Sequence, residues 1–332
     1  MQRINNKTFF IFPLFIIFLF SCEKEPKQSN TLDLVSKSLS PTETFKFLFN
    51  RDTVIVSNLE NKYYLNREDF KGMEDDTVEV QIWEYFNKED LLNNNIRTLT
   101  DKGDLLESKG VLKICIYQDS SFFELKERKK IKMELKNQNY LNYDIYIGNI
   151  DNKMQMCWKK EDAIYVKVGY PFSKDSDLYM IKETTIDSLE YYNKLRDSIY
   201  NELKIENFEK IEKEAIAFLT MDNNTWINID KLVETPIKKD FSIKLKQTNH
   251  YDDYMIYVIY ENTNSFINYY ITGNDLKIKK VPIIGNAKGV IVTYANKKVL
   301  YDEFNINENT DLNIPIDLKE IELERFKDIL TN

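Results

Sequence analysis

A mainly β chain, built as two antiparallel β-sandwiches joined by a helical connector and closed by a short C-terminal helix, follows from three patterns. From Phe45 to Val168, apolar and polar residues take turns: Val78, Val80 and Ile82 against Glu79, Gln81 and Trp83, then Ile131, Met133 and Leu135 against lysines and Glu134. A period of two gives a strand one dry and one wet face, the signature of antiparallel sheets that cover each other. From residue 185 to about 212 the period changes. Ile186, Leu189, Tyr192, Leu195, Ile199 and Leu203 are spaced three or four apart, as on one face of a helix. After Ala215 the strand pattern returns, with Phe241, Ile243 and Leu245 and then Leu312, Ile314 and Ile316.

In chain order, the first 21 residues carry Arg3 and Lys7, then the apolar run Phe9 to Phe20, broken only by Pro13. That run is short for a membrane span and right for a secretory signal. It ends Ser21-Cys22, which resembles a bacterial lipoprotein cleavage box. Residues 1–21 are expected to leave and Cys22 to carry thioether-linked diacylglycerol and an amide-linked acyl chain, a multi-chain anchor. Residues 22–43, polar with Pro26 and Pro41, read as a flexible tether. Residues 44–170 then form the first sandwich, 184–212 the connector, 213–317 the second sandwich and 318–332 a docked helix with Leu323, Phe326 and Leu330 on one face. Tyr254 to Tyr260 is apolar on both faces and reads as a central strand. Asp187 with Glu190 forms a capping-box arrangement at the connector's start.

Charge narrows the partners. The formal net charge is −8; Arg3 and Lys7 depart with the leader, so −8 becomes −10. Such a chain is not expected to bind nucleic acid, which needs a basic patch. Cys115 and Cys157 remain; in an oxidising envelope they could pair, although two isolated strand cysteines give no geometric support for it. Cys115 lies opposite its strand's aliphatic set, so partial exposure is expected.

The most informative run is Glu84 to Val111. A Glu-aromatic pair, Glu84-Tyr85, ends one strand; Leu91 and Leu92 sit in an acidic loop; Thr98 and a turn at Gly103 precede Leu105-Leu106-Glu107-Ser108-Lys109-Gly110. These residues resemble a module of predicted Bacteroidetes envelope lipoproteins related to the ZU-five β-sandwich of ankyrins and netrin receptors. Trp226-Ile227-Asn228-Ile229-Asp230 resembles a motif that follows it, with Thr225 and Ile229 departing from the usual Gly and Cys. Val281 to Gly285 resembles a corner of the immunoglobulin-like sandwich that comes next. The resemblance implies architecture and turn glycines, core aliphatics and a corner tryptophan, not an activity. Self-cleavage as in some ZU-five relatives is not expected, because Phe172-Ser173 and Phe241-Ser242 lack a preceding histidine.

Little here points to chemistry. His250 is the one histidine, in a turn-like His-Tyr-Asp-Asp-Tyr, so a triad would have to use it. No phosphate-binding glycine pattern is present, and no cofactor or metal is expected. Glu74-Asp75-Asp76 and Asp175-Ser176-Asp177 are acidic clusters without EF-hand spacing. Asp-Ser/Thr-aliphatic triplets at Thr53, Thr77, Ser188 and Ser198 resemble an O-glycosylation pattern. Trp83 and Tyr85 face away from Val80 and Ile82, to stack on sugars or to pack on a second sheet. The expectation is a non-catalytic protein, held in the outer membrane through Cys22, that binds or scaffolds another envelope protein. Glycan binding is the first alternative and a His-independent hydrolase with paired carboxylates the second.

Overall fold

The computed structural model describes residues 31, 39–71, 77–136, 143–151, 155–162, 167–171, 179–183, 216–234, 237–247 and 251–331. Outside the described residues lie the leader, Cys22, the connector expected at 184–212, His250, Glu74-Asp75-Asp76 and Asp175-Ser176-Asp177. Strand makes up 57% of the structure against two helices, which settles the class as mainly β.

The first part of the chain supplies β1 (Glu43–Leu48), β2 (Thr53–Val56), β3 (Lys62–Leu65), β4 (Thr77–Tyr85), β5 (Leu106–Gln118), β6 (Ser121–Phe122) and β7 (Ile131–Leu135). It continues with β8 (Asp144–Ile150), β9 (Met156–Lys160), β10 (Lys167–Pro171), β11 (Tyr179–Glu183), β12 (Ile216–Met221) and β13 (Trp226–Leu232). One sheet runs β1-β4-β5-β13-β8-β9, with β6 folded back on β5; a second runs β11-β10-β12-β7-β3-β2. They face each other through Val78, Val80, Ile82, Leu112, Ile114 and Ile116 on one side and Tyr63, Leu65, Ile131, Met133 and Leu135 on the other, all buried. The alternation read from the sequence is thus the inner face of this pair.

The later strands are β14 (Lys238–Leu245), β15 (Asp253–Tyr260), β16 (Phe266–Thr272), β17 (Lys277–Pro282), β18 (Ala287–Ala295), β19 (Lys298–Ile306), β20 (Asn313–Ile316) and β21 (Lys319–Ile321). They form a third sheet, β17-β14-β20, and a fourth, β16-β15-β18-β19-β21. Phe241, Ile243 and Ile314 meet Tyr254, Ile256, Val258 and Tyr260 between them. The β14–β20 pair is parallel, a departure from an all-antiparallel reading.

The two pairs of sheets stack. The outer face of the first sheet, with Trp83, Val111, Tyr146, Trp158 and Trp226, packs on Met255, Tyr257, Ile259, Val290 and Val292 of the fourth. β15 is therefore buried along its whole length on both faces, as its apolar run predicts. Two helices fill the same joint. In α1 (Lys88–Asn93), Asn87 caps the first turn by accepting from the Asp90 amide, and Leu91 and Leu92 are buried. In α2 (Leu323–Thr331), Phe326 and Leu330 are buried on the face the sequence predicts.

Strand pairing differs from the sequence reading in one large respect. Residues 213–317 were expected as one unit, yet β12 pairs with β7 and β10, and β13 is inserted between β5 and β8. The second pair of sheets begins at Lys238. The cause is burial: Ile227 and Ile229 complete the first core, and β13 gains ladder partners on both sides. The tether expected over 22–43 also ends in contacts. Trp83 Nε1 donates to the Leu39 carbonyl (3.0 Å), Tyr85 Oη to that of Ser40 (3.1 Å), and the Thr42 amide to Ile82 (2.8 Å). Farther back, the Thr31 amide donates to Asp253 Oδ1 (3.1 Å).

Candidate functional site

The outward-pointing residues of β4 and β5 build the site, because strand pleating places every second side chain on that face. Register carries one row across four strands: Lys46 of β1 opposite Glu79 of β4, Glu79 opposite Tyr117 of β5, and Tyr117 opposite Phe122 of β6. The Lys46 ammonium pairs with Glu79 Oε2 at 3.0 Å, and Gln81 Nε2 donates to Glu79 Oε1 at 2.7 Å. The Tyr117 and Phe122 rings stack at 4.9 Å between centroids, with Phe122 half exposed. β5 returns into β6 through Asp119 and Ser120, both with positive φ (47° and 68°), the left-handed pair a two-residue hairpin needs.

Lys46, Thr77, Glu79, Gln81, Tyr117, Asp119 and Ser120 line an open groove of ≈460 Å³. The Gln81 hydrogen bond, then the Lys46 ammonium, hold the Glu79 carboxyl below its ordinary value, so it stays ionised and accepts. Burial first, and the neighbouring Cys115 second, push the Tyr117 phenol up to about 12, so it stays neutral and can donate. Two carboxylates, Glu79 and Asp119, share the groove. A general acid needs a raised pKa, and Glu79 is shifted the other way.

A short step along the same face, the environment inverts. Trp83 and Trp226 rings lie 6.0 Å apart, and the Lys113 ammonium sits 5.2 and 5.0 Å from their centroids. Leu39 and Ser40 cover this end. Trp83 and Tyr85 are therefore packed, not offered to a ligand, and Cys115 is fully buried rather than partly exposed because this face is covered too. Cys115 and Cys157 are both free thiols.

The two sequence motifs meet across β5 and β13, with Ser108 opposite Asp230. Ser108 Oγ donates to Asn228 Oδ1 (2.9 Å), and Asn228 Nδ2 donates to Asp230. Burial drives the Asp230 carboxyl well up, against the hydrogen bonds of Ser108, the Lys109 amide and Asn228. Asn264 of the second half closes the joint, donating through Nδ2 to the Ser108 carbonyl (2.7 Å). This is a polar seam between the halves. Glu84, expected only as half of a Glu-aromatic pair, points into the first core. Asn61 Nδ2 and Tyr63 Oη donate to it at 2.9 and 2.7 Å, and burial raises its carboxyl.

The motif glycines divide. Gly103 is a turn glycine with φ +78°. Gly110 lies inside β5, where a Cβ would come within 2.5 Å of the Phe86 ring, so close packing and not a turn explains it.

Among the described residues no group of three or more His, Cys, Asp or Glu is placed to hold a metal ion, and no helix is long and apolar enough to cross a membrane. No family model, curated protein or solved structure matches this chain. Sequence reading did not bring Lys46, Asp119 or Ser120 forward, and it named Thr77 only within an O-glycosylation-like triplet and Gln81 only as a wet-face position. The only local signal was the Asp119-Ser120 pair before Phe122, a hairpin turn; the rest requires the register of strands far apart in sequence.

Proposed function

We propose that the chain is a non-catalytic, lipid-anchored envelope protein, held in the outer membrane by Cys22, that presents the β1–β4–β5 groove to a binding partner. The supporting observation is the cross-strand row Lys46–Glu79–Tyr117–Phe122. Its side chains pair off, Lys46 with Glu79 and Tyr117 with Phe122, on hydrogen-bonded strands, so part of their conformational freedom is already spent before a partner engages them. The basic segment, the 12 residues from Phe9 to Phe20 and Ser21-Cys22 support the anchor. Paired sheets on both sides of the joint support the finer reading of a ZU-five-like sandwich followed by an immunoglobulin-like one, with the second starting at Lys238.

The test is photo-cross-linking in intact cells. A benzophenone side chain at Thr77, inside the groove, inserts into C–H bonds of protein or sugar alike and is expected to capture one discrete partner of either kind. The same group at Leu312, exposed on the second half, is expected to capture none. Equal capture at both positions, or none at Thr77, overturns the reading. Cys22→Ser is expected to abolish incorporation of radiolabelled palmitate and to release the protein from the membrane fraction; retention of both overturns the anchor.

A further inference from the structure

We propose that the ligand of the groove is a neutral saccharide, an inference that rests on the binding role above. A sugar presents two things at once: hydroxyls that each donate and accept, and a ring face of C–H bonds. The groove answers both. An ammonium donates up to three hydrogen bonds, of which the Glu79 ion pair takes one; Glu79 and Asp119 accept; the Gln81 amide, the Tyr117 phenol and the Thr77 and Ser120 hydroxyls do both. Beside these, Tyr117 backed by the half-exposed Phe122 gives a flat apolar surface. Aromatic rings of this kind add contact area with few torsions to freeze.

Charge selects within the class. One cation, Lys46, faces two carboxylates, Glu79 and Asp119, in a chain whose formal net charge is −8. A phosphate, sulfate or uronate would meet like charge from the groove and from the whole molecule. The groove's size, ≈460 Å³, lies in the range of small-ligand sites, about 300–1,000 Å³. An apolar peptide face would find too few apolar walls here, and the polar walls would lose water without return.

The experiment is calorimetric titration of the full-length acylated protein, in micelles of a detergent without a sugar headgroup. The probes are hexamers of α-1,4-glucose, β-1,4-xylose, β-1,4-mannose and β-1,4-N-acetylglucosamine, with a galacturonate hexamer as the anionic counterpart. At least one neutral hexamer is expected to bind, and the galacturonate not to. Tyr117→Ala and Glu79→Gln are each expected to weaken binding about tenfold or more, a loss of about 1.4 kcal/mol, while Leu312→Ser leaves it unchanged. Unfolding curves of each variant separate lost contacts from lost fold. No binding of any neutral hexamer, preference for the galacturonate, or binding indifferent to both groove substitutions overturns the proposal. The two readings fail separately. Cross-linking from Thr77 to a protein, with no hexamer bound, leaves the binding role and removes the saccharide. A hexamer bound and shortened leaves the saccharide site and removes the non-catalytic reading.

Discussion

Strands β4 and β5 present one outer face with two fates. At Glu79, Gln81 and Tyr117 that face is an open groove of ion-paired and hydrogen-bonding side chains. At Trp83 and Tyr85, a few residues along, it is covered by Leu39 and Ser40 and joined to the cluster of α1 and the fourth sheet, with buried Cys115, opposite Gln81, at the boundary. The strands, pleat and ladder are the same at both ends. The difference is the cover: where a second layer arrives, the outward positions hold Trp83 and Tyr85, with Lys113 laid over the indoles, and where it stops they hold Lys46, Glu79 and Gln81. A single face can thus serve as a structural joint along part of its length and stay open to solvent along the rest.

Substitutions along this face should therefore separate in size. Trp226→Ala, at the covered end, is expected to cost about 3–5 kcal/mol in denaturant unfolding, since it removes a buried ring from the joint. Gly148→Ala should follow, at about 1–3 kcal/mol. A Cβ there would lie 2.6 Å from the Trp158 ring and 2.8 Å from Trp226 Cβ, and both tryptophans are buried. Ser108→Ala, at the polar seam, is expected to cost about 1–3 kcal/mol by leaving Asn228 Oδ1 buried without its donor. At the open end, Glu79→Gln should change stability by no more than about 0.5 kcal/mol. If Glu79→Gln destabilises as much as Ser108→Ala, the two ends are not different in kind.

The pH dependence sharpens the same contrast. Asp230 and Glu84 have folded carboxyls raised by burial. A raised carboxyl stabilises the fold fully below the ordinary carboxylate range and loses that contribution as pH rises toward its folded value. Melting temperature should therefore decline as pH climbs above that range, and Asp230→Asn should flatten the decline. Glu79 has the opposite sign. Its lowered carboxyl keeps the Lys46 pair intact above the ordinary range and loses it only as pH falls through the lowered value.

Much of the architecture was legible in the sequence because burial on one face writes a period of two. The Ile131–Leu135 strand, the doubly buried Tyr254–Tyr260 strand and the Phe326–Leu330 helix face were all readable this way. What failed was pairing. Trp226 to Asp230 is flanked by nothing that says it enters between β5 and β8, and the placement follows from Ile227 and Ile229 finding a vacancy in the first core. The same limit hid the groove, since Lys46, Glu79 and Tyr117 are adjacent only through register. Cys115 and Trp83 were ambiguous because alternation shows which side a residue faces and not whether another layer lies there.

The division of that face is tested most directly by hydroxyl-radical footprinting of the purified full-length protein. Phe122 and Tyr117 should oxidise several-fold faster than Trp83, Tyr85 and Trp226, although indole is intrinsically the more reactive ring. Oxidation of Trp83 and Trp226 at rates matching Phe122 would contradict the account.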